Sequence, residues 1–278
     1  MQTVAIVGVG LIGGSFGLAL KKAGFAGKII GVSSERTVRQ ALERGAIDEA
    51  AELADAAARA DLIYLAQPIG RIIDTLRHID AFVHPGALIT DAGSTKSAIV
   101  SAARVHIRKC RFLGGHPMAG KEKRGVGESD ADLFRGRAYV LTPEDPADME
   151  ASPAQTLLGW IRRIGALPLM LKADEHDRIV SFTSHLPQLA VTALAATVAE
   201  HAGDNLAVAG PGLTDSTRLA LSSYELWRDI LATNAQPIEQ ALSAYIAKLE
   251  HLRDNLRTRD VQNEFEIAAA LAATLRKS

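Results

Sequence analysis

The sequence predicts an α/β fold in which an amino-terminal, mostly parallel sheet is followed by an all-helical domain. Short β-branched runs alternate with amphipathic helical segments through roughly the first 170 residues, the pattern of βαβ units. From Asp174 onward, long Ala/Leu patterns of helical period replace the strand signals. The chain of 278 residues exceeds one nucleotide-binding unit, so we expect two domains, residues 1–172 and 173–278.

The individual elements follow from the same patterns. Strands are predicted at Thr3–Val9, Lys28–Val32, Leu62–Ala66, Ala87–Asp91, Arg111–Gly114, Ala138–Thr142 and Leu167–Leu171. Amphipathic helices between them are predicted at Thr37–Arg44, Ile69–Ile79, Lys96–Ala103 and Ala154–Ile164. The carboxy-terminal helices are predicted at Asp174–Gly203, Asn205–Ser222, Tyr224–Asn234, Gln236–Thr258 and Val261–Lys277. Long Ala-rich helices must bury their apolar stripes, so we expect a homodimer through this domain.

Composition narrows the classes of partner. The 31 Lys and Arg residues nearly cancel the 32 Asp and Glu residues, so no global field attracts nucleic acid or an anionic membrane. A single cysteine, Cys110, fits a reducing compartment, and we expect a cytoplasmic protein. The first apolar run is cut by Gly8 and Gly10, which argues against a signal peptide. We expect no membrane span, because no stretch approaches about 18 uninterrupted apolar residues, and a small-molecule partner.

The segment Val4–Gly13 is an apolar strand that runs into G-x-G-x-x-G and then into a helix. Gly8 makes the tight turn, Gly10 lets the backbone approach a pyrophosphate, and Gly13 allows close packing of helix on strand. Free N–H groups at the helix start then bind the anion. Because strand, helix and a following strand are all present, the motif predicts a Rossmann-type dinucleotide site.

The end of the second strand bears on which dinucleotide binds. Ser33 stands where an acidic residue usually accepts the ribose hydroxyls, and a serine near Arg36 or Arg39 would accommodate a 2′-phosphate. This favours NADP over NAD. The alternative is that both arginines are solvated and Glu35 binds the ribose. The predicted cofactor-binding residues are Gly8, Gly10, Leu11, Ile12, Gly13, Ser33, Ser34, Arg36 and Pro68.

Two polar clusters follow strands, where a Rossmann enzyme keeps its substrate site. Asp91–Lys96 contains Ser94 in a turn before a helix; taken alone, that serine fits a helix cap. Gly114–Glu122 places glycines and a proline around His116. We predict that these residues hold the imidazole of His116 at the carboxyl edge of the sheet in a catalytic role. The histidines lack metal-ligand spacing, so no metal is expected.

A third set of polar residues lies in the helical domain. It comprises His176–Asp177, Ser184–Gln188, Thr214–Arg218 and Trp227. His176, Ser184 and Gln188 are spaced by close to whole helical turns, so they share an approximate stripe. The stripe predicts a polar neighbour, which is a substrate, a subunit contact or solvent.

Taken together, these motifs resemble the prephenate and arogenate dehydrogenases of tyrosine biosynthesis. The resemblance covers nearly the whole chain in order. It rests on Gly8–Ser15, Asp91–Lys96, Gly114–Gly125, Ser184–Pro187, Gly212–Arg218 and Trp227–Ile230.

The resemblance implies oxidative decarboxylation of prephenate to 4-hydroxyphenylpyruvate with NAD(P). His116 would accept a hydrogen bond from the substrate's 4-hydroxyl and draw off its proton, Ser94 would orient that pair, and Arg218 would hold a carboxylate. Glu122 and Asp215 look like ionic companions of Arg218 that gate the pocket. The implied substrate-binding set is Arg218, Ser184, Gln188, Lys121, Glu122, Asp215 and Trp227.

Three departures from the family pattern leave the substrate open. Gln188 stands where many prephenate-using members have a second histidine, Lys121 where a threonine is usual, and Thr214 before Asp215 is also unusual. The alternatives are therefore arogenate dehydrogenase or a dual-specificity cyclohexadienyl dehydrogenase. Rival enzymes are a β-hydroxyacid dehydrogenase, which would be expected to use a helical lysine, and a pyrroline carboxylate reductase. A rival of another class is a non-catalytic dinucleotide sensor, which needs the glycines but not His116 or Arg218.

Overall fold

The computed structural model describes residues 1–121, 123–203, 205–258 and 260–276. Its described part contains one eight-stranded sheet of order β3-β2-β1-β4-β5-β6-β7-β8. The strands are β1 Thr3–Val7, β2 Lys28–Val32, β3 Glu49–Ala50, β4 Leu62–Leu65, β5 Leu88–Asp91, β6 Arg111–Pro117, β7 Ala138–Thr142 and β8 Leu167–Met170. All neighbours pair in parallel except β6 and β7. The order 3-2-1-4-5-6 is that of dinucleotide-binding folds.

Helices cover both faces of the sheet. They are α1 Leu11–Lys22, α2 Glu35–Glu43, α3 Leu53–Arg59, α4 Ile69–Ile79, α5 Ser97–His106 and α6 Ser152–Arg163. Side chains along β4 alternate between two hydrophobic cores, with Tyr64 in one and Ile63 in the other, as the period of two requires. In the first core Phe16 of α1 stacks on Tyr64 with ring centroids 4.0 Å apart. Burial on both faces explains why the central strands read as continuous apolar runs.

After β8 the described residues form helices and the turns that connect them. The helices are α7 Ala173–Val180, α8 Leu186–Ala202, α9 Pro211–Thr217, α10 Tyr224–Thr233, α11 Ala235–Asp254 and α12 Gln262–Leu275. A π-helical turn, Ser181–His185, joins α7 to α8, and 3₁₀ turns lie at Asn205–Val208 and Arg218–Leu221. Large apolar side chains such as Leu221, Leu256 and Phe265 are more than two-thirds exposed. This surface matches the expectation that another subunit buries part of it.

The predicted fold class is confirmed, with local corrections. β3 and α3 were not predicted; β3 is two residues long and too short to give a pattern. The predicted helix Asn205–Ser222 is wrong, because Pro211 starts a separate helix behind Gly210. The strand predicted to end at Gly114 continues to Pro117, since β6 pairs with β7 through His116 opposite Val140. His116 therefore lies within a strand rather than in a loop after one.

One helix bears on the membrane expectation. The continuous helical stretch Ala173–Ala202 is long and apolar enough to cross a membrane by length and composition, with a mean hydropathy of 1.3 over its most apolar 18-residue window. Only 22% of that window is buried within the subunit. A helix whose apolar face is covered by another subunit has the same composition, so this finding is weak evidence for a membrane.

Candidate active site

The backbone beside His116 is held by a buried ion pair. Lys96, which is fully buried, bonds through Nζ to a carboxylate oxygen of Asp91 and donates to the carbonyl oxygen of Gly115 at 2.7 Å. Asp91 also accepts from the N–H of Gly115 at 3.1 Å. Burial lowers the pKa of Lys96, and the Asp91 carboxylate opposes that shift. A Cβ on Gly115 would lie 2.6 Å from the Asp91 carbonyl oxygen, so only glycine allows this approach.

His116 is bonded to a second histidine from the helical part of the chain. Its Nδ1 lies 2.8 Å from Nε2 of His176, and Nδ1 of His176 lies 2.8 Å from Oδ1 of Asp177. The pKa of His116 is held well below its ordinary value, first by burial and then by the neighbouring His176 and Lys96, which disfavour a second positive charge in this cluster. His116 is nevertheless only half-buried as a residue. A neutral imidazole at a half-buried position fits a proton acceptor.

Asp177 fastens this histidine pair to the sheet. Oδ1 of Asp177 accepts from the N–H of Lys96 at 2.7 Å, and Oδ2 accepts from the N–H of Ser97 at 2.8 Å. These N–H groups lie at the start of α5, where intrahelical acceptors are missing. The Asp177 carboxylate therefore closes the first turn of α5 from a neighbouring helix. Burial raises the pKa of Asp177, but hydrogen bonds from His176 and Ser97 outweigh that effect and lower it.

The π-helical turn brings further polar residues beside the pair. His185 is buried, and its ring packs edge-on against Trp227 with centroids 5.8 Å apart. Asn234 bonds from Nδ2 to the Asp177 carbonyl oxygen at 2.9 Å and lies 3.1 Å from Nδ1 of His185. Burial lowers the pKa of His185 to about 4, so this ring is neutral at ordinary pH. Ser184, half-buried, precedes His185 in the same turn, and π-turns within helices are frequent at functional sites.

Gln188 connects α8 to the segment that carries Arg218. Gln188 is buried and donates from Nε2 to the Leu219 carbonyl oxygen at 2.9 Å. Arg218 is exposed and opens the 3₁₀ turn that contains Leu219, while Asp215 is exposed on α9. The bond to Leu219 therefore places the turn that begins with Arg218 beside Gln188, and the shared substrate site stays a prediction.

The turn that carries Ser94 is tied to the helical part. Ser94 is half-buried, and its neighbour Thr95 lies 2.7 Å from Thr233 of α10 between hydroxyl oxygens. Trp227 of the same helix is half-buried, and its buried Nε1 has no hydrogen-bond partner among the described residues. Ser94 and Trp227 thus both lie along the junction between the sheet and the helices.

Lys121 occupies a different position. It forms an ion pair with Asp130 at 3.0 Å and donates to the Glu128 carbonyl oxygen at 3.2 Å. Together with Arg44 these residues line an open cavity of about 570 Å³ beside α1. Glu122 lies outside the described residues. The partners of Lys121 are therefore Glu128 and Asp130, in the segment between β6 and β7, and its contact with substrate stays a prediction.

The glycine turn fits a dinucleotide. Gly8 has a φ of +94°, and a Cβ on Gly13 would lie 2.2 Å from the Gly8 carbonyl oxygen, so helix and strand meet without room for side chains. A Cβ on Gly10 would meet nothing within 4 Å. Gly10 is the N-cap residue of α1 and makes no side-chain bond to the N–H groups of the first turn. The start of α1 is therefore suited to bind a pyrophosphate, the chemistry that the motif predicts.

The remaining predicted cofactor residues surround this turn. Ser33 and Arg36 are exposed at the end of β2, Ser34 precedes α2 with its hydroxyl 2.9 Å from that of Thr37, and Pro68 precedes α4 beside the neighbouring strand. All four therefore lie at the carboxyl edge of the sheet, where parallel α/β folds bind ligands.

Three residues of the cluster escaped the sequence-based set. Lys96 and Asp177 were noticed only as members of motifs, and His176 only as part of a polar stripe. His116 and His176 are 60 positions apart, so no local spacing reveals their bond. The available signal was the adjacent pair His176–Asp177 within an otherwise amphipathic helix, because a buried His–Asp pair requires a polar partner.

A dinucleotide-binding glycine turn on the same sheet edge as a half-buried, neutral histidine, at the junction with the helices, defines a nicotinamide-dependent oxidoreductase. Comparison with known proteins agrees. Residues 16–157 match the family model described as "Prephenate dehydrogenase, nucleotide-binding domain", and residues 172–273 match "Prephenate dehydrogenase, dimerization domain". The chain belongs to the prephenate dehydrogenase family, and it is an NAD(P)-dependent oxidoreductase.

Individual relatives span the family's substrate range. The chain is 35% identical over 268 residues to a prephenate dehydrogenase of Lactococcus lactis, covering 94% of this chain and 73% of that protein. It resembles a crystal structure of prephenate dehydrogenase from A. aeolicus in complex with hydroxyphenyl propionate and NAD⁺, with 29% identity, a TM-score of 0.88 and coverage of 100% and 98%. A Synechocystis arogenate dehydrogenase structure is similar at 28% identity and a TM-score of 0.81, with 99% of each chain covered.

Proposed function

We propose that this enzyme catalyses the NAD(P)-dependent oxidative decarboxylation of prephenate to 4-hydroxyphenylpyruvate in tyrosine biosynthesis. The observation that carries the proposal is the half-buried, neutral His116 at the carboxyl edge of the sheet, the same edge that carries the glycine turn of Gly8, Gly10 and Gly13. The bound dinucleotide supplies the hydride acceptor. The substrate loses a hydride and its ring carboxylate as CO₂, and the ring becomes aromatic. The protein's task is therefore to orient the substrate, to accept the proton of its 4-hydroxyl and to return that proton to the phenolate oxygen of the product.

His116 is the proposed catalytic residue. Its Nε2 accepts the hydrogen bond of the substrate's 4-hydroxyl and takes that proton as the hydride leaves. The depressed pKa keeps this nitrogen unprotonated at neutral pH. Ser94, in the turn after β5, orients the hydroxyl.

Arg218 is proposed to hold a substrate carboxylate, since a guanidinium binds this group in a bidentate manner. Gln188 and Ser184 lie on the same helical segment and support that end of the pocket. Asp215 and Glu122 are the proposed ionic companions of Arg218, and Trp227 forms part of the wall.

Arogenate is the alternative substrate, and the enzyme with activity on both is a cyclohexadienyl dehydrogenase. Two observations keep the alternative in view: the similarity to the Synechocystis arogenate dehydrogenase, and Gln188 at the position where the family pattern has a histidine. Gln188 presents a neutral amide that is engaged with Leu219. It therefore places no additional charge beside the substrate side chain.

For the cofactor we propose NADP in preference to NAD. Ser33 offers a hydroxyl, and no carboxylate, at the end of β2. Glu35, the alternative ribose ligand, is engaged by Arg39 at 2.8 Å. Arg36 is exposed in the first turn of α2, next to Glu35, and is the proposed partner of the 2′-phosphate.

We also propose the assembly and the setting of the enzyme. Residues 1–172 form the nucleotide-binding domain, and residues 173–278 form a substrate-binding domain through which two copies associate. Support comes from the match of residues 172–273 to a dimerization domain and from the exposed apolar side chains of α10 to α12. The proposed location is the cytoplasm, without nucleic-acid or membrane partners.

The test is to measure reduced-cofactor formation by the purified enzyme with prephenate and with arogenate separately. We expect turnover with prephenate at the higher kcat/KM. Turnover with arogenate alone would select the alternative substrate. Absence of turnover with both substrates, in protein that binds the dinucleotide, would contradict the proposal and favour a non-catalytic dinucleotide sensor.

A further inference from the structure

A chain of three side chains runs from the accessible ring of His116 into the protein. Both of its links are 2.8 Å long, from Nδ1 of His116 to Nε2 of His176 and from Nδ1 of His176 to Oδ1 of Asp177. His176 and Asp177 are almost completely buried. His116 belongs to β6, while the other two residues belong to α7, so the chain crosses the junction between sheet and helices.

The direction of each hydrogen bond follows from the end of the chain. Oδ1 of Asp177 already accepts from the N–H of Lys96, and Oδ2 accepts from that of Ser97. The pKa of Asp177 is lowered, so its carboxylate is ionised and only accepts. Nδ1 of His176 must therefore carry the hydrogen. In a neutral imidazole the other nitrogen, Nε2, then holds the lone pair and accepts from His116.

We propose that His176 and Asp177 are positioning residues that fix His116 in the tautomer with hydrogen on Nδ1, leaving the lone pair of Nε2 free for the substrate hydroxyl. This inference rests on the proposed function of His116 as the proton acceptor. Neither residue touches the substrate. Their effect is on which ring nitrogen of His116 is basic and on where it points.

The proton balance is closed by His116 alone. When the O–H bond of the substrate breaks, its proton joins Nε2 and the imidazole becomes a cation, while both hydrogens along the chain stay on their nitrogens. After CO₂ has left the ring, the phenolate oxygen of the product takes this proton back from Nε2, which gives the phenol of 4-hydroxyphenylpyruvate and restores the neutral imidazole. The negative charge of Asp177 lies behind His176 and stabilises that cation. The ammonium of Lys96 opposes it, but Lys96 is paired with Asp91.

The same chain of hydrogen bonds predicts how protonation of His176 would change the tautomer of His116. If His176 were protonated on both nitrogens, it would donate to Nδ1 of His116, and the hydrogen of His116 would move to Nε2. Nε2 would then be a donor and unable to take the substrate proton. The ionised Asp177 thus selects the productive tautomer only while His176 is neutral.

Two variants of His176 separate the chemical role from mere packing. Phenylalanine keeps a ring of similar shape and removes the acceptor, whereas the side-chain oxygen of glutamine reaches the position of Nε2 and retains an acceptor. We expect His176→Phe to lower kcat by about 100-fold with KM and dinucleotide affinity within a factor of about two. His176→Gln should recover most of that loss.

The direct readout is nitrogen NMR of histidine-labelled full-length enzyme, which distinguishes protonated from unprotonated ring nitrogens without any substrate. The His116 signals are assigned by their loss in His116→Asn. We expect the wild type and His176→Gln to show hydrogen on Nδ1 of His116, and His176→Phe to lose this preference. Hydrogen on Nε2 in the wild type would overturn the proposal, as would a tautomer and kcat unchanged in His176→Phe.

The NMR measurement distinguishes failure of the tautomer proposal from failure of the proposed function. Absence of turnover with prephenate and arogenate would defeat the proposed function but leave the tautomer measurement valid. If His176→Phe does not fold, the tautomers of the wild type and His176→Gln still decide, because both retain the acceptor and must show hydrogen on Nδ1.

Discussion

Asp229 of α10 accepts a hydrogen bond through Oδ2 from the backbone N–H of Gly70, at 3.0 Å, in the first turn of α4. A side chain of the helical part thus supplies the cap that α4 lacks locally, where Pro68 at the N-cap position provides none. Because the loop before α4 borders the glycine cradle, this bond fixes the helices relative to the cofactor side of the sheet.

Asp229→Ala should lower the free energy of unfolding by about 1 kcal/mol at neutral pH, the typical loss for a cap. Asp229→Asn is the matched control and should lose much less, since its amide oxygen still accepts. The hydrogen bond from Gly70 lowers the pKa of Asp229. Its contribution is therefore present above the unfolded-state pKa of about 3.9 and is lost as the pH falls through the lower folded value. Urea titrations at several pH values measure this; an equal loss in both variants would speak against the cap.

Gly10 and Gly13 should respond differently to the same substitution. A Cβ at Gly13 would lie 2.2 Å from the Gly8 carbonyl oxygen, so Gly13→Ala forces the backbone apart and should destabilise the fold by about 1–3 kcal/mol. A Cβ at Gly10 meets nothing within 4 Å, so Gly10→Ala should keep the wild-type melting temperature. It should nevertheless weaken dinucleotide binding, because the methyl group lies where the pyrophosphate approaches. Thermal unfolding and cofactor titration separate the two effects, and undiminished affinity in Gly10→Ala would place the pyrophosphate elsewhere.

The elements that could be predicted from the sequence are those decided by local periodicity. β2 and β7 match their predicted bounds because each is a short apolar run bounded by polar or turn residues. The glycine turn was visible for the same reason, since its function depends on consecutive positions. The carboxyl end of β6 was not visible, because its last residues become a strand only by pairing with β7, more than 20 positions later.

In the candidate site, too, features set by neighbouring residues could be predicted from the sequence, and features set by tertiary contacts could not. His116 stood out through its flanking glycines and proline, but its strand position and its bond to His176 depend on tertiary contacts. The stripe predicted along Asp174–Gly203 assumed one regular helix, whereas a π-helical turn at Ser181–His185 interrupts the register. Lys96 shows a similar limit: a lysine at the start of a predicted helix suggests solvent, yet its side chain is fully buried against Asp91.

Ser33→Asp should change the cofactor preference. A carboxylate at the end of β2 repels a 2′-phosphate and accepts the ribose hydroxyls, so kcat/KM with NADP should fall while that with NAD rises or holds. Arg36→Ala should reduce only the NADP value. Initial rates with both cofactors at saturating substrate test this. A wild type that strongly prefers NAD, with no NADP loss in either variant, would show that Ser33 does not select the cofactor.

Arg218→Ala should act mainly on KM. Removing the guanidinium leaves the substrate carboxylate without its bidentate partner in both the ground and transition states, which raises KM with a smaller change in kcat. Loss of a charge-assisted pair of this kind amounts to about 10- to 100-fold. Arg218→Lys keeps the positive charge but lacks the planar guanidinium that binds a carboxylate through two hydrogen bonds. Its KM should therefore lie between those of the wild type and Arg218→Ala. Steady-state kinetics with prephenate measures the split, and an unaltered KM in Arg218→Ala would assign the carboxylate to another residue.

His116→Asn should instead act on kcat. Asparagine has no basic nitrogen to take the substrate proton, so kcat should drop by about 10²- to 10⁴-fold, while dinucleotide affinity stays close to that of the wild type. The wild-type pH profile gives an independent check. Burial, and then the proximity of His176 and Lys96, lower the pKa of His116 well below its ordinary value of 6.5. Because the unprotonated form is active, kcat/KM should hold as the pH falls through 6.5 and decline only at more acidic pH. An acid limb at or above pH 6.5 that persists in His116→Asn would assign the proton acceptor to a different group.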